Sequence, residues 1–200
     1  RVFPSGGYAV MRSGWEPDAH RLIVDVGPLG CRVSGAHGHA DLLSVQCSAF
    51  GEDYLVDPGT YCYTPSPAWR DHFRSTAAHS TLTIDGASQA RPVGPFGWDV
   101  RPAARLRAWR SDERHDFVDA SHGAYGRVSE SITHRRRVLF VKPHYWAIVD
   151  DVSGSDRHEW TLHFQFSPRR VTLEPGGWTR AEGRRGTGLW LAPFAPDLIH

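Results

Sequence analysis

Short apolar-rich runs recur along this chain, and the clearest of them alternate hydrophobic and polar residues with a period of two, the mark of strands that bury one face. The clearest case is Leu43, Val45, Cys47 and Ala49, interleaved with Ser44, Gln46 and Ser48. Similar short runs occupy 8–12, 21–26, 54–57, 80–85, 104–109, 117–120, 129–141, 145–150, 160–166, 171–174 and 189–192, with Gly, Pro, Asp and Ser between most of them. Many short strands punctuated in this way predict an all-β fold, an antiparallel β-sandwich. One stretch breaks the pattern. Ser66 followed by Pro67 is a helix start, with serine able to cap and proline suited to the first helical position, so a two-turn helix is predicted through Arg74. A tight turn at 51–53 folds 54–57 back on 43–49, and the hairpin returns Asp57 toward His39. The stretch 91–102, rich in Pro, Gly and aromatics, reads as an ordered loop over the sheet.

Composition changes this picture little. Two hundred residues suit one domain. With 23 basic residues against 22 acidic, a net charge of +1 excludes nucleic-acid binding driven by bulk charge. Basic clusters at 135–137, 169–170 and 184–185 read as solvated strand faces and turns. Cys31, Cys47 and Cys62 are too few for a disulfide framework, although one bridge and the redox compartment stay open. Cys47 falls on the apolar side of its strand and reads as a buried thiol. No run approaches the roughly 18 apolar residues of a membrane helix. The chain opens at Arg1 directly in a strand-like run, so the expectation is a single domain over 1–200 belonging to a longer protein.

The candidate chemistry is concentrated in 35–79. His39, Asp57 and His79 are the residue types that hold zinc and similar ions, which commonly take three protein ligands and leave a position open. The residues alone leave two readings: a metal site, or histidines satisfied by hydrogen bonds. If 37–39 is extended, His37 and His39 share a face, but Gly38 permits other geometries and leaves their division of labour open. Asp41 reads as a loop-fixing group and is a lesser ligand candidate. Tyr61, Tyr63, Trp69, Arg70, His72 and Arg74 lie nearby and could form a glycan-binding surface, with arginine forks for anions and aromatic faces for sugar rings. In the alternative, Trp69 and Phe73 pack the helix while its arginines sit in solvent.

Taken in order, His37-Gly38-His39-Ala40-Asp41-Leu42-Leu43-Ser44, Leu55-Val56-Asp57-Pro58-Gly59-Thr60-Tyr61 and Arg74-Ser75-Thr76-Ala77-Ala78-His79 resemble the heparinase II/III-like polysaccharide lyases. Ile132-Thr133-His134-Arg135-Arg136 and Trp146-Ala147-Ile148-Val149-Asp150-Asp151 are similar to that family's sheet region. The resemblance implies a supersandwich-like β-region that follows an N-terminal α/α toroid not contained in 1–200. It further implies His39, Asp57 and His79 as ligands of one divalent ion, zinc in many members, and His37 as the histidine reaching the active site. Tyr61, Tyr63, Arg70 and Arg74 become candidate contacts to an acidic polysaccharide such as a glycosaminoglycan or alginate. The implied partners are that polymer and the chain's own helical domain, and the implied location is periplasmic or secreted. The toroid would supply the catalytic tyrosine and the groups that neutralise the substrate carboxylate. Ser80 departs from the family, which usually has Asn after the metal histidine. Two other readings compete: a glycan-binding β-sandwich with a structural metal and no chemistry, and a cupin-like metalloenzyme. The second lacks the expected glutamate, with Leu42 and Leu43 in its place.

Overall fold

The structure is a computed structural model that describes residues 1–31, 33–129 and 131–194; the side chain of Arg185, part of one predicted basic cluster, lies outside the description. Its first sheet joins Val2–Phe3 (β1), Tyr8–Arg12 (β2), Arg21–Asp25 (β3), Val45–Ala49 (β4) and Glu52–Leu55 (β5) as neighbours in chain order, all antiparallel. The helix Pro67–Phe73 (α1) follows, and then Leu82–Ile84 (β6) and the two-residue strands Pro92–Val93 (β7) and Gly97–Trp98 (β8). The second sheet is a meander of Arg105–Ser111 (β9), His115–His122 (β10), Thr133–Val141 (β11) and Tyr145–Ser153 (β12). Trp160–Leu162 (β13) pairs with β6, and Val171–Leu173 (β14), Thr179–Glu182 (β15) and Gly188–Leu191 (β16) form a small third sheet.

The period-two pattern works as a sandwich requires. Ala9, Met11, Leu22, Val24, Val45, Cys47 and Leu55 point inward from the first sheet and meet Val118, Ala120, Val138 and Phe140 of the second. The predicted β-sandwich is therefore the fold. The hairpin turn falls one residue earlier than predicted: Ala49 pairs with Glu52, and Phe50 and Gly51 both take positive φ, as a two-residue type I′ turn demands. The predicted loop over 91–102 contains the small hairpin β7–β8. Cys47 is a buried free thiol, pushed by burial up to about 12, and Cys31 and Cys62 are also free.

One strand departs from the sequence reading in an instructive way. The inward side of β11 is split, with Val138 and Phe140 in the apolar core and His134 and Arg136 buried beside it. The cluster at 135–137 is thus only partly a solvated face. Arg135 and Arg137 pair outside with Asp119 and Asp151, whereas Arg136 is interior. Its Nε and Nη2 donate to the two oxygens of Asp150 at 2.7 and 3.0 Å. Its Nη1 donates to the carbonyls of Leu43 and Ser80 at 2.7 and 2.9 Å. The arginine crosses the sandwich to grip two loops.

The same network sets proton positions on two histidines. The Ala124 N–H donates to Nδ1 of His122, so the His122 proton sits on Nε2 and is donated to Nδ1 of His134. His134 then carries its proton on Nε2 and donates it to Asp150 at 2.7 Å. The neutral forms satisfy every ring nitrogen. Burial, then the neighbouring His134 and Arg136 charges, hold His122 well below its ordinary pKa. Burial likewise lowers His134, although the Asp150 hydrogen bond opposes it. The unfolded chain takes up these protons near pH 6.5 and the folded chain does not. Their stabilisation is therefore complete above that pH and lost as pH falls below it, by up to about 1.4 kcal/mol per pH unit for each group. Asp25, Asp41 and His79, raised in the folded chain, act in the opposite direction over this range, so the test is a comparison. Between pH 7.5 and pH 5 His122→Gln should lose less Tm than the parent, and equal slopes would count against these assignments.

Candidate functional site

The site lies on loops at one end of the sandwich. Residues 37–39 are not extended. His37 has φ of 61°, in the left-handed region, and its imidazole packs on Tyr63 and Phe96 whereas that of His39 meets His79. The backbone before it is tightly packed. A β-carbon on Gly38 would stand 2.5 Å from the Gly30 Cα, so the two loop segments can approach only as glycines. Further on, Thr76 Oγ1 donates to the Ala40 carbonyl, the Ala40 N–H donates to that of Arg74, and Gln89 brackets Leu42 through both side-chain ends. These bonds fix the His39 loop against the segment that ends in His79.

His39, Asp57 and His79 do come together. One donor atom from each lies within 4.8 Å of the other two. His39 Nδ1 is 3.0 Å from His79 Nε2, and that nitrogen is 3.4 Å from Asp57 Oδ2. Ligands at zinc distances in a tetrahedron stand about 3.3 Å apart, so these separations fit a small divalent ion, and the exposed Asp57 can rotate to close the third. The donor chemistry fits as well. The His79 Nδ1–H donates to the Ser75 carbonyl at 2.7 Å, which leaves its Nε2 lone pair facing the other two residues. Burial and then the His79 charge depress His39 to about 4, keeping its imidazole neutral. Burial works against the charges of His79 and Asp57, but their mutual hydrogen bond outweighs it, raising His79 and lowering Asp57.

Beside this group opens a cleft of about 430 Å³, lined by Tyr8, Asp25, His37, His39, Asp41 and Asp57 among others. Asp41 is in its wall and outside the three-donor group. Burial pushes its carboxyl up to about 6, and burial together with the Asp41 charge raises Asp25. Asp25 and Tyr8 reach the cleft from β3 and β2, a placement that strand alternation alone could not reveal. His37 is exposed at the mouth, its ring edge-on to Tyr63 and tilted against Phe96, each 5.6 Å away between centroids.

The expected polyanion-binding arginines are a correction. Arg70 and Arg74 are 1 % and 0 % exposed. Arg74 spends its donors on Asp71 and on the carbonyls of Gly94, Pro95 and Gly97, clamping the β7–β8 loop to α1. Arg70 donates to the Pro95 carbonyl and to Thr60 and lies over the Tyr63 ring. Neither guanidinium is presented to a polymer. The aromatics are what the helix displays: Trp69 is half exposed, and Tyr61, 70 % exposed, stacks on Phe73 at 5.4 Å. Both sequence readings of this helix therefore fail on the arginines. Ser80, the odd residue after His79, accepts the Gln165 N–H at 3.0 Å and so is bonded within the fold.

The fold is thus a β-sandwich that carries a histidine–aspartate–histidine donor group beside a polar cleft. Residues 1–197 match the family described as "Heparinase II/III-like, C-terminal", and the chain belongs to that family. It is similar to a heparin-sulfate lyase of Bacteroides stercoris, 25% identical over 201 residues, covering 98% of this chain and 27% of the relative. A heparin-sulfate lyase of Pedobacter heparinus is 24% identical over 168 residues, covering 82% and 23%. The chain thus spans about a quarter of the length of these curated relatives. Among solved structures, the heparan sulfate lyase HepC from Pedobacter heparinus superposes with a TM-score of 0.80 at 22% identity, covering 96% of this chain and 28% of that one. Heparinase III does so at 0.78 and 20%, covering 96% and 29%. These likenesses show the fold. Among the described residues, no helix is long and apolar enough to cross a membrane.

Proposed function

We propose that this chain is the sheet half of a lyase that cleaves uronic-acid-containing polysaccharide by β-elimination, and that it is nearly inactive alone. The observation carrying this reading is the position of His37, at the cleft mouth beside the three-donor group but outside it. In such a reaction a base removes the proton at C5 of the uronate, the C4–O bond breaks, and a C4–C5 double bond remains. The proton becomes acidic enough only when the neighbouring carboxylate is neutralised, so the developing enolate must be stabilised electrostatically. The Asp25 and Asp41 wall is the wrong sign for that task. The neutralising groups, and a catalytic tyrosine, would come from a helical domain facing this cleft.

His37 is proposed as the acid–base group this half contributes, with Tyr61 and Tyr63 offering stacking surfaces and hydroxyls to the sugar. His39, Asp57 and His79 would hold one divalent ion, zinc by donor type, which when bound supplies a fixed positive charge tying together the loops that carry them. The test is made on a longer protein carrying this chain, with heparan sulfate and alginate as substrates. His37→Ala should lower the rate of unsaturated-uronide formation about 10²- to 10⁴-fold. A rate typical of enzymes from residues 1–200 alone would overturn the division of labour. The exposed shelf of Tyr61 and Trp69 also favours a second reading, a glycan-binding module without chemistry. Glycan binding with no turnover by the longer protein would select it.

A further inference from the structure

We infer that Thr60 is a positioning residue that sets the proton of His39, and that Arg70 holds Thr60 in place for that task. The inference rests on the metal reading of His39, Asp57 and His79. A neutral imidazole carries one proton on one of its two nitrogens. For Nδ1 of His39 to present a lone pair toward His79 and Asp57, the proton must sit on Nε2 and be donated there. Two groups face Nε2: Thr60 Oγ1 at 3.2 Å and Arg70 Nη1 at 3.5 Å. A guanidinium has no acceptor, so the threonine oxygen is the group able to take the proton.

Arg70 anchors that oxygen. Its Nη1 donates to Thr60 Oγ1 at 2.9 Å while its Nε donates to the Pro95 carbonyl at 3.2 Å. With Arg70 and His39 both donating, the two lone pairs of the hydroxyl are filled and its own proton turns away from Nε2. Arg70 is buried, and among the described residues no carboxylate lies within ion-pair distance of it. Its position is therefore set by a hydroxyl, a carbonyl and the Tyr63 ring, with no acidic group to draw it off. Local backbone geometry delivers Thr60 to this place. Asp57 Oδ1 accepts the Gly59 N–H at 2.7 Å, Gly59 takes φ of 70°, and Thr60 follows with its Oγ1 within reach of His39 Nε2. A single turn of four residues thus supplies one metal donor, Asp57, and the group that prepares another.

The test uses residues 1–200 with zinc chloride, titrated in competition with a chromophoric chelator. Thr60→Val keeps the shape and removes the acceptor; Thr60→Ser keeps the acceptor. Affinity should fall about 10- to 100-fold in Thr60→Val and stay within about threefold in Thr60→Ser. Melting in EDTA should match the parent in Thr60→Ser and fall in Thr60→Val, which leaves the buried Arg70 Nη1 without that acceptor, so affinities are compared at a temperature where all three proteins are folded in EDTA. Long-range nitrogen–proton spectra of the zinc-loaded parent should place the His39 proton on Nε2. Parent-like affinity in Thr60→Val, equal losses in both variants, or a proton on Nδ1 would overturn the inference. A parent that binds no zinc overturns the metal reading beneath it, an outcome distinguishable from the others because it precedes any substitution.

Discussion

Arg136→Met is expected to destabilise the domain by about 3–5 kcal/mol, the usual cost of breaking a buried ion pair by removing one partner. The substitution leaves Asp150 buried beside His134 without its cation, and releases the carbonyls of Leu43 and Ser80. Burial alone would raise the Asp150 carboxyl, but the charge and hydrogen bonds of Arg136 hold it below the usual carboxylate range. In a domain of this size each kcal/mol moves Tm by about 2–4 °C, so the melt should drop by roughly 6–20 °C. Asp150→Asn should be costly for the mirror-image reason. The pair Arg136→Met with Asp150→Asn should cost well under the sum of the two, because residues in one network are coupled. Urea denaturation of the three variants checks this, and strict additivity would mean that the ion pair is not the stabilising unit.

The second large effect concerns the ion. Purified protein should carry about one divalent ion per chain, and His39→Ala or Asp57→Ala should abolish it. With free zinc at about 100 times its dissociation constant, binding stabilises the folded state by about 2.7 kcal/mol. EDTA should therefore lower the Tm of the parent by several degrees and leave both variants unmoved. Metal analysis alongside melts with and without chelator makes the measurement. A metal-free parent whose melt ignores added zinc would refute the assignment, and the cluster would then stand as hydrogen-bonded histidines around an acidic cleft.

How much of this was legible in the sequence depends on the kind of interaction. The alternation in 45–49 was readable because one face is apolar and the other polar, while 8–12 and 21–25, with Val10 and Ile23 on the outer face, were readable as short β-type runs. The turn that returns Asp57 toward His39 was readable because hairpin geometry is local. Thr179–Glu182 was not, since Thr-Arg-Ala-Glu has a single apolar side chain, Ala181, to announce a strand. Charged residues misled most. Arg70, Arg74 and Arg136 look like surface groups in sequence, yet each is interior because carbonyls distant in the chain, from Leu43 to Gly97, accept their protons. No local pattern encodes such partners. Alternation left the division between His37 and His39 open, and only the family resemblance assigned it, because a positive φ at His37 overrides the geometry an extended chain would impose.

The grip of Arg136 on Leu43 and Ser80 has a consequence for how the domain breathes. Loops around a binding cleft commonly belong to the least protected cooperative units of a protein and open without disturbing the rest. Here the backbone flanking the cleft is fastened to the interior of the opposing sheet. Hydrogen exchange at Val45, whose amide bonds to the Ser80 carbonyl, would then follow global unfolding in place of local fraying. The cleft wall and the sandwich would then open as one cooperative unit, and local movement at the cleft would fall to the loops that Arg136 does not hold.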